Sequence, residues 1–211
     1  MSSPVLTGLA PDPRRPGYHL VEIDRGRFAS LPGESLAGLG LAVGREIGPR
    51  VLARLEELAD LEAAHRAALR ALARRAHARF DLRRRLLQKQ HPPAAVDGAL
   101  DRLAAAGLLD DERFAREYAA TRATRGGGRG PARLVRDLVT QGVDRRVAEE
   151  AVRAALADEG VDPEETVRAV AAKRARQLAG LPAPVRRRRL VAFLLRRGFG
   201  GAEVRGVVEG L

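Results

Sequence analysis

The chain has no cysteine, and aromatic residues make up only 3% of its 211 residues. The missing thiols exclude disulfide bonds and thiolate chemistry within this chain. With so few aromatic rings, a hydrophobic content of 45% must rest mainly on Leu, Val and Ala. Leu and Ala are strong helix formers, and the residue types that favour strands are sparse beyond the N-terminal region. The composition therefore predicts a mainly α-helical protein.

Long apolar segments are also missing. No run approaches the roughly 20 apolar residues that a membrane-spanning helix needs, and the N-terminus lacks the charged and apolar regions of a secretory signal. The four histidines show no spacing typical of metal ligands. We therefore expect a cytoplasmic protein with no membrane association, no metal and no cofactor.

Negative charge is scarce relative to positive charge. The formal net charge is +11, and all but two of the 38 basic residues are Arg. Two basic blocks, residues 61–109 and 161–211, each carry a net charge of +6 and flank a neutral block at 110–160. Guanidinium groups suit bidentate contacts to phosphates and carboxylates. This distribution predicts a polyanionic partner or an acidic protein surface, bound along an extended body rather than in one cleft.

The N-terminal 48 residues differ in pattern from the rest of the chain. Residues 1–17 contain four prolines and no periodicity, which predicts a loose leader. Residues 18–48 predict a small β-hairpin element, because residues 18–23 alternate in polarity and Gly26 suits the turn that follows them. The segment 40–47 is a candidate third strand.

From Pro49 onward the apolar residues recur at helical spacing. Proline is well tolerated in the first turn of a helix, so a helix is expected to begin here. The pattern extends to about Ala78, with a break expected near Asp60.

Three blocks with the same pattern follow, at residues 81–103, 132–152 and 188–208. In each block, a short helix with leucines at i and i+4 leads through a turn to a second amphipathic helix. Gly142 and Gly198 occupy the turn positions where a helix ends in a left-handed residue. A longer helix precedes each block.

Three-helix repeats are therefore expected over residues 49–108, 109–160 and 161–211. The predicted fold class is all-α in the main. Three tandem three-helix repeats form an elongated, curved rod, with the small β-hairpin element at the N-terminus. A rod of repeats buries its core without a second copy, so we expect a monomer.

The acidic residues within LLDDERFAREY raise the question of catalysis. With Asp110 as the N-cap of a helix, Leu109 and Phe114 take the two positions of a hydrophobic staple. Asp111 lies in the first turn, where the helix dipole favours negative charge, and Tyr118 follows Phe114 at i+4 on the same face. No histidine or further acid is spaced to complete a catalytic or metal site. These residues are interpreted as a helix start, and no catalytic residue is predicted.

The same stretch, LLDDERFAREYAATR followed by RGGGRGPARLVRDLVTQGV, resembles the RecX family of regulatory proteins. Members typically show a Leu-Asp-Asp-x-x-Phe-Ala segment, then an Arg, a Gly-rich turn and a helix that ends in Gly-Val or Gly-Ile. The corresponding positions here are Leu109, Asp110, Asp111, Phe114, Ala115, Arg122, Gly128, Leu134, Leu138, Gly142 and Val143. The resemblance covers roughly residues 60–211, and the hairpin-like YHLVEIDRGRF is also similar to a feature of some members.

This resemblance implies a helical modulator of the RecA recombinase that has no catalysis of its own. It implies binding along the groove of the RecA–single-stranded DNA filament. Inhibition of filament extension, ATPase activity and strand exchange would follow, in DNA repair and the SOS response. The implied partners are the RecA filament and the single-stranded DNA within it.

The arginines give an independent reason to expect an anionic partner. Residues 186–189 are four consecutive arginines at the start of a helix, and four helical residues sweep about 300° of azimuth, so they cannot share one solvent face. They also lie at the positive end of the helix dipole, where a bound anion improves the electrostatics. The predicted partner-binding and DNA-binding residues are Arg83, Arg84, Arg85, Arg122, Arg125, Arg129, Arg133, Arg186, Arg187, Arg188, Arg189, Arg196 and Arg197. The alternative is that these are solvated arginines whose stems cover apolar surface.

Other functions are weighed against this one. RGGGRG lacks the Lys-Ser/Thr of a Walker motif and follows no strand, so nucleotide binding is not predicted. LVRDLVTQGVDRRVAEEAV resembles a helix-turn-helix, but the same pattern in all three repeats favours an architectural role over base readout. Base stacking is disfavoured because Phe80 and Phe193, the aromatic residues near the basic runs, fit core positions. The main alternative is a non-specific nucleic-acid binder that acts without a recombinase and loses affinity steeply with salt.

Overall fold

A computed structural model describes residues 3–124 and 128–210. Its N-terminal part is a three-stranded antiparallel sheet, formed by β1 (Leu6–Pro11), β2 (Tyr18–Ile23) and β3 (Gly26–Pro32) in that order. Its buried residues include Val21 and Leu31. A single helical turn, α1 (Gly33–Leu36), follows the sheet.

The β2–β3 hairpin turns at Asp24 and Arg25, which have φ angles of 50° and 64°. Positive φ at both central residues gives the turn type whose twist matches that of the flanking strands. The Arg25 N–H donates to Thr7 Oγ1 at 2.9 Å, which links the turn to β1. Gly26, the expected turn residue, instead pairs with Ile23 as the first residue of β3, so that prediction is wrong.

The prediction of a loose leader over residues 1–17 is wrong for residues 6–11, which form β1. Leu6 is only 1% exposed and pairs with Ile23 of β2. Proline is tolerated here because β1 is an edge strand and Pro11 is its last residue. The prolines therefore flank or end the strand without interrupting its hydrogen bonds.

The segment 40–47 forms no strand among the described residues, contrary to expectation. It makes one isolated bridge, between Val5 and Glu46. Gly40 and Gly44 have φ angles of 63° and 85°, which interrupt the extended backbone that a strand requires.

Helix α2 (Pro49–Leu72) contributes to two hydrophobic clusters. Its first half packs on the sheet through Leu55 and Leu58. Its second half packs, through Ala67 and Ala68, on α3 (Arg79–Gln88) and α4 (Pro93–Ala105). The break expected near Asp60 does not occur, because Asp60 is exposed on the outer side of a continuous helix. The helix ends at Leu72 and not at the predicted Ala78.

Six further helices follow in the part of the chain that the structure describes. They are α5 (Asp111–Thr124), α6 (Pro131–Thr140), α7 (Arg145–Asp158), α8 (Pro163–Gln177), α9 (Ala183–Arg196) and α10 (Gly201–Glu209). Together with α2–α4 they give three consecutive three-helix groups, so the predicted mainly helical fold class is confirmed. None of the helices within the described stretches is both long and apolar enough to cross a bilayer.

The chain divides into two compact units. One consists of Met1–Ala76 and Leu82–Leu109, and the other of His77–Asp81 and Asp110–Leu211. The second unit therefore holds both the α5–α7 group and the α8–α10 group. In each of these groups the predicted leucine pair lies in the core, since no member of either pair is more than 3% exposed.

Two left-handed glycines in the second unit lie against the start of another helix. Gly142 (φ 90°) ends the turn after α6, and a Cβ at this position would overlap the side chain of Phe80 in α3. Gly198 (φ 87°) ends the turn after α9, and a Cβ there would overlap the backbone nitrogen of Arg133 in α6. The predicted left-handed conformation is confirmed at both glycines. The contacts add a second reason why only glycine fits.

The contact at Gly198 is backbone against backbone. The Gly130 N–H donates to the carbonyl of Arg197 at 2.8 Å, and the Ala132 N–H donates to the carbonyl of Gly198 at 3.2 Å. These bonds use two of the N–H groups at the start of α6 that lack partners within the helix. The end of α9 therefore caps α6 and fixes the α8–α10 group on the α5–α7 group.

A buried carboxylate joins the sheet to the helices of the first unit. Glu62 of α2 is 1% exposed and accepts hydrogen bonds from Arg15 Nη2 at 3.1 Å and Arg102 Nη1 at 2.8 Å. Arg15 precedes β2 and lies 3.6 Å above the Tyr18 ring, and Arg102 is in α4. Burial raises the pKa of Tyr18, and the negative charge of Glu62 adds to that shift. This network could not be predicted from the sequence, because Arg15, Glu62 and Arg102 are far apart along the chain.

The backbone contact at Gly198 predicts a large loss of stability for Gly198→Ala. Gly160→Ala is the matched control, because Gly160 also has a positive φ (61°) but a Cβ there would meet nothing within 4 Å. The control should lower the free energy of unfolding by ~1 kcal/mol, the cost of left-handed backbone. Overlap with α6 should raise the loss at Gly198 to ~3 kcal/mol. Urea unfolding of both variants tests this, and equal losses would contradict the contact.

The buried network predicts that Glu62→Gln is destabilising by ~2–3 kcal/mol, since it leaves two partly buried guanidiniums without a counter-charge. Glu57→Gln is the control: it breaks an ion pair of the same chemistry, Arg54–Glu57 at 2.8 Å, on the exposed side of the same helix. Its effect should stay within ~0.5 kcal/mol. Thermal and urea unfolding measure both, and a Glu62 variant as stable as the control would show that the network is dispensable.

Candidate functional site

The acidic residues at the start of α5 cap helices. Asp110 accepts a hydrogen bond from the Arg113 N–H at 2.9 Å, and this bond holds the pKa of Asp110 below its usual value. Asp111 accepts from the Arg79 N–H at 2.7 Å, so it caps the first residue of α3. The N-cap interpretation is therefore confirmed for Asp110. The second role, of Asp111 on a helix 32 residues earlier, was missed because only the fold brings the two together.

The other predicted motif residues lie in the core. The rings of Phe114 and Tyr118 are 6.0 Å apart on one face of α5, as expected, and Ala115 is fully buried beside them. Leu109 and Phe114 are both buried, each in a hydrophobic cluster of its own compact unit, and the staple between them stays a prediction. In the described part of the chain, no group of three or more His, Cys, Asp or Glu side chains is placed to hold a metal ion.

The arginines of α3 differ in their surroundings. Arg83 forms a bidentate pair with Asp97 of α4, with Nε 2.6 Å from Oδ1 and Nη2 3.0 Å from Oδ2. This pair raises the pKa of Arg83. Arg83 therefore holds α3 on α4, while Arg84 and Arg85 are exposed.

Two predicted arginines near the start of α6 share one acid. Arg129 Nη1 lies 3.2 Å from Asp137 Oδ2, and Arg133 Nε lies 2.9 Å from Asp137 Oδ1. Asp137 is in α6 and its side chain is only 18% exposed. One carboxylate thus offsets one of the two cations. In α5, Arg122 lies 4.8 Å above the Tyr118 ring, and Arg125 lies outside the described residues.

The two predicted arginines at the end of α9, Arg196 and Arg197, also differ in their surroundings. Arg197 lies 4.9 Å from the centre of the Phe193 ring and donates to the Gly128 carbonyl at 3.3 Å. It therefore links α9 to the segment before α6. A core position was predicted for both Phe193 and Phe80. Phe193 is half-buried beneath Arg197 and Arg174 and packs against the hydrophobic cluster of α8–α10, whereas Phe80 is exposed, contrary to that prediction. Arg196 is exposed in the last turn of α9, where the helix dipole favours a cation.

The four consecutive arginines near the start of α9 are the least neutralised cluster. Arg187 has one distant acidic neighbour, Glu209, with Nη2 and Oε1 3.9 Å apart and both side chains more than 60% exposed. For Arg186, Arg188 and Arg189, no carboxylate of residues 3–124 or 128–210 lies within ion-pair distance. Arg188 and Arg189 are exposed and Arg186 is half-buried. We call these four residues the α9 cluster.

A groove adjoins the α9 cluster. Its volume is about 390 Å³, and its apolar floor includes Leu190 and Val208. Arg176 of α8 lines it together with Arg186 and Arg187. Arg176 was not among the predicted residues, because only the fold brings α8 beside the arginines of α9. Three arginines thus line one concave surface beside α9, an arrangement suited to an anionic group.

Comparison with known families matches all three helical groups. Models of the first, second and third three-helix domains of RecX match residues 64–103, 110–152 and 162–208. The regulatory protein RecX of Halorhodospira halophila is 41% identical over 145 residues, which are 68% of this chain and 85% of that protein. The regulatory protein RecX of Xanthomonas oryzae pv. oryzae is 38% identical over 142 residues, which are 67% of this chain and 84% of that protein.

Solved structures show the same fold. A crystal structure of regulatory protein RecX superimposes with a TM-score of 0.74 at 19% identity, covering 98% of this chain and 99% of that one. RecX from Lactobacillus salivarius superimposes with a TM-score of 0.61 at 20% identity, covering 72% of this chain and 96% of that one. The ordered match of three domain models, supported by identities of about 40% to curated relatives, establishes that the chain belongs to the RecX family.

Proposed function

We propose that the chain is a negative regulator of the RecA recombinase that acts by binding and not by catalysis. In this proposal it occupies the groove of the RecA–single-stranded DNA filament as a monomer in the cytoplasm. It thereby inhibits filament extension, ATPase activity and strand exchange during DNA repair and the SOS response. Membership of the RecX family supports RecA as the partner.

The single observation that carries the proposed mode of binding is the α9 cluster. Its cations begin at the fourth residue of α9 and follow one another directly, and the described residues offer them almost no carboxylates, so they repel one another. An anionic partner removes this repulsion. Phosphates of filament DNA and acidic side chains of the recombinase are both suitable, because guanidinium binds either group in a bidentate geometry.

Predicted arginines that already have partners within their own unit have a smaller part in this proposal. Arg83, Arg129, Arg133 and Arg197 are occupied by contacts within their own unit. Breaking such a contact to bind a partner would oppose the gain from binding. We therefore assign partner contact mainly to the α9 cluster, with Arg122 and Arg196 as further exposed members of the predicted set.

The second candidate function is non-specific binding of nucleic acid without a recombinase. The same unneutralised arginines favour it, because binding through them releases counterions whatever the DNA sequence. The two functions differ in stoichiometry and salt dependence. A filament regulator acts at concentrations well below those that coat the DNA, whereas a DNA-coating protein must saturate the strand.

Charge reversal in the α9 cluster tests the proposed mode of binding. Arg188→Glu/Arg189→Glu should raise the concentration for half-inhibition of DNA-dependent RecA ATPase by about tenfold or more, because two attractive contacts become repulsive. Arg45→Glu/Arg50→Glu is the matched control, with the same change in charge at exposed arginines outside the predicted clusters. The control should change half-inhibition by less than about twofold.

Three results would tell against the proposal in different ways. Unchanged inhibition by the α9 variant, with its helical content intact, would remove this cluster from the mechanism. An equal loss in the control would show that only net charge matters, which favours the non-specific binder. Inhibition that appears only when the DNA is coated, and vanishes with added salt in parallel with DNA binding, would also favour the non-specific binder.

Asp137, the acid that Arg129 and Arg133 share, gives a further prediction. Asp137→Asn should strengthen binding to heparin or single-stranded DNA, because it releases Arg129 and Arg133 as well as removing a negative charge. Asp158→Asn removes the same charge at an exposed position without an ion pair among the described residues. Salt elution from heparin should therefore shift more for Asp137→Asn than for Asp158→Asn. Equal shifts would show that the two arginines were already available.

A further inference from the structure

An open apolar groove lies on the α5–α7 group, and none of its lining residues belongs to the α9 cluster. It lies along α6 and α7, with Pro163 at the start of α8 among its lining residues, and its volume is about 670 Å³. Its apolar lining includes Val135, Val139, Val152 and Leu156. All of these residues belong to the second compact unit.

The groove exists because α6 has two apolar stripes but buries only one. Leu134 and Leu138 form the first stripe at i and i+4 and are 1% and 0% exposed. Val135 and Val139 form the second stripe, about 100° further around the helix. Val139 is 41% exposed and Val135 is half-buried. The core of the group already closes over the leucines, so the valine stripe faces the groove.

The rim of this groove is basic. Arg136, Arg145 and Arg153 line it together with a single acid, Glu149. Arg145 Nε pairs with Glu149 Oε1 at 2.8 Å, so those two charges offset each other. For Arg136 and Arg153, no carboxylate within the described ranges lies at ion-pair distance, and both side chains are exposed. The rim therefore retains a net positive charge beside an aliphatic floor.

This combination fits an acidic amphipathic helix better than it fits nucleic acid. The lining contains no aromatic side chain on which a base could stack. Its cations lie at the rim, where they would meet the flanks of a bound segment, and its floor would meet an apolar face. A helix that lays leucines at i, i+4 and i+7 into an apolar groove is a common mode of peptide recognition. Glu or Asp on the flanks of that helix would meet Arg136 and Arg153.

We propose that the groove along α6 and α7 binds an acidic amphipathic helix of a protein partner. The valine stripe contacts the apolar face of that helix, and Arg136 and Arg153 pair with its acids. None of the residues that line this groove belongs to the α9 cluster. The groove can therefore bind its partner whichever ligand the α9 cluster binds.

A designed peptide tests the proposal directly. The probe is a fluorescein-labelled helical peptide of about 18 residues, with Leu at i, i+4, i+7 and i+11 and Glu and Ala elsewhere. Fluorescence anisotropy with the full chain should give a Kd in the range of roughly 1–100 μM. Val139→Asp should weaken binding by about tenfold or more, because it places a carboxylate against the leucines of the peptide and near its glutamates. Val139 is exposed enough for the variant to fold, which circular dichroism verifies.

Charge is tested separately from apolar contact. Arg136→Glu/Arg153→Glu should weaken peptide binding by about tenfold, whereas the matched Arg45→Glu/Arg50→Glu variant should stay within about twofold. A second peptide with Lys in place of each Glu keeps the apolar face and should bind at least about tenfold more weakly than the acidic one.

Several results would overturn the proposal. These are no binding of the acidic peptide at millimolar chain concentration, unchanged binding by Val139→Asp, or equal binding of the lysine peptide. A Val139→Asp variant that loses affinity for a single-stranded oligonucleotide instead of the peptide would assign the groove to nucleic acid. Arg188→Glu/Arg189→Glu should keep peptide binding while losing filament inhibition, so failure of one proposal is distinguishable from failure of the other.

Discussion

The second compact unit depends on the close approach of left-handed glycines to neighbouring helices. Gly198 has two independent requirements, a positive φ and no room for a Cβ against the backbone of Arg133. Gly142 repeats the arrangement against Phe80. In both cases the turn between the last two helices of one group meets the start of the middle helix in the preceding group. The two glycines thus occupy equivalent positions of the sequence repeat, and each lies against a helix start within the second unit.

The contact at Gly198 also bears on which arginines of the second unit have partners within that unit. Arg197 precedes Gly198, and Arg129 and Arg133 flank the helix start that Gly198 touches, so all three lie at the contact and bind groups within the unit. The α9 cluster lies at the opposite end of α9, where the described structure offers it only the distant carboxylate of Glu209. Within the second unit, the arginines beside the Gly198 contact therefore have partners, whereas those of the α9 cluster have almost none among the described residues.

Sequence reasoning succeeded where the cause is local. The N-cap at Asp110, the left-handed glycines and the buried leucine pairs each follow from residues within four positions of one another. It failed where the cause is tertiary. Arg83 finds Asp97 14 positions away and Arg102 finds Glu62 40 positions away, and neither spacing has a meaning along the sequence. The four prolines in residues 1–17 led to the wrong prediction of a loose leader there, because an edge strand tolerates proline at its end.

The two exposed surfaces of the second unit differ in chemistry, and this difference bears on the choice between functions. The α9 cluster offers charge with few counter-ions, which suffices for any polyanion. The groove along α6 and α7 offers an aliphatic floor, which gains nothing from phosphate and little from unstacked bases. A free strand of nucleic acid uses only the first surface, whereas a complex of protein and DNA presents partners for both. If both proposals hold, a nucleoprotein filament offers a partner to each surface, whereas naked DNA offers a partner to the α9 cluster alone.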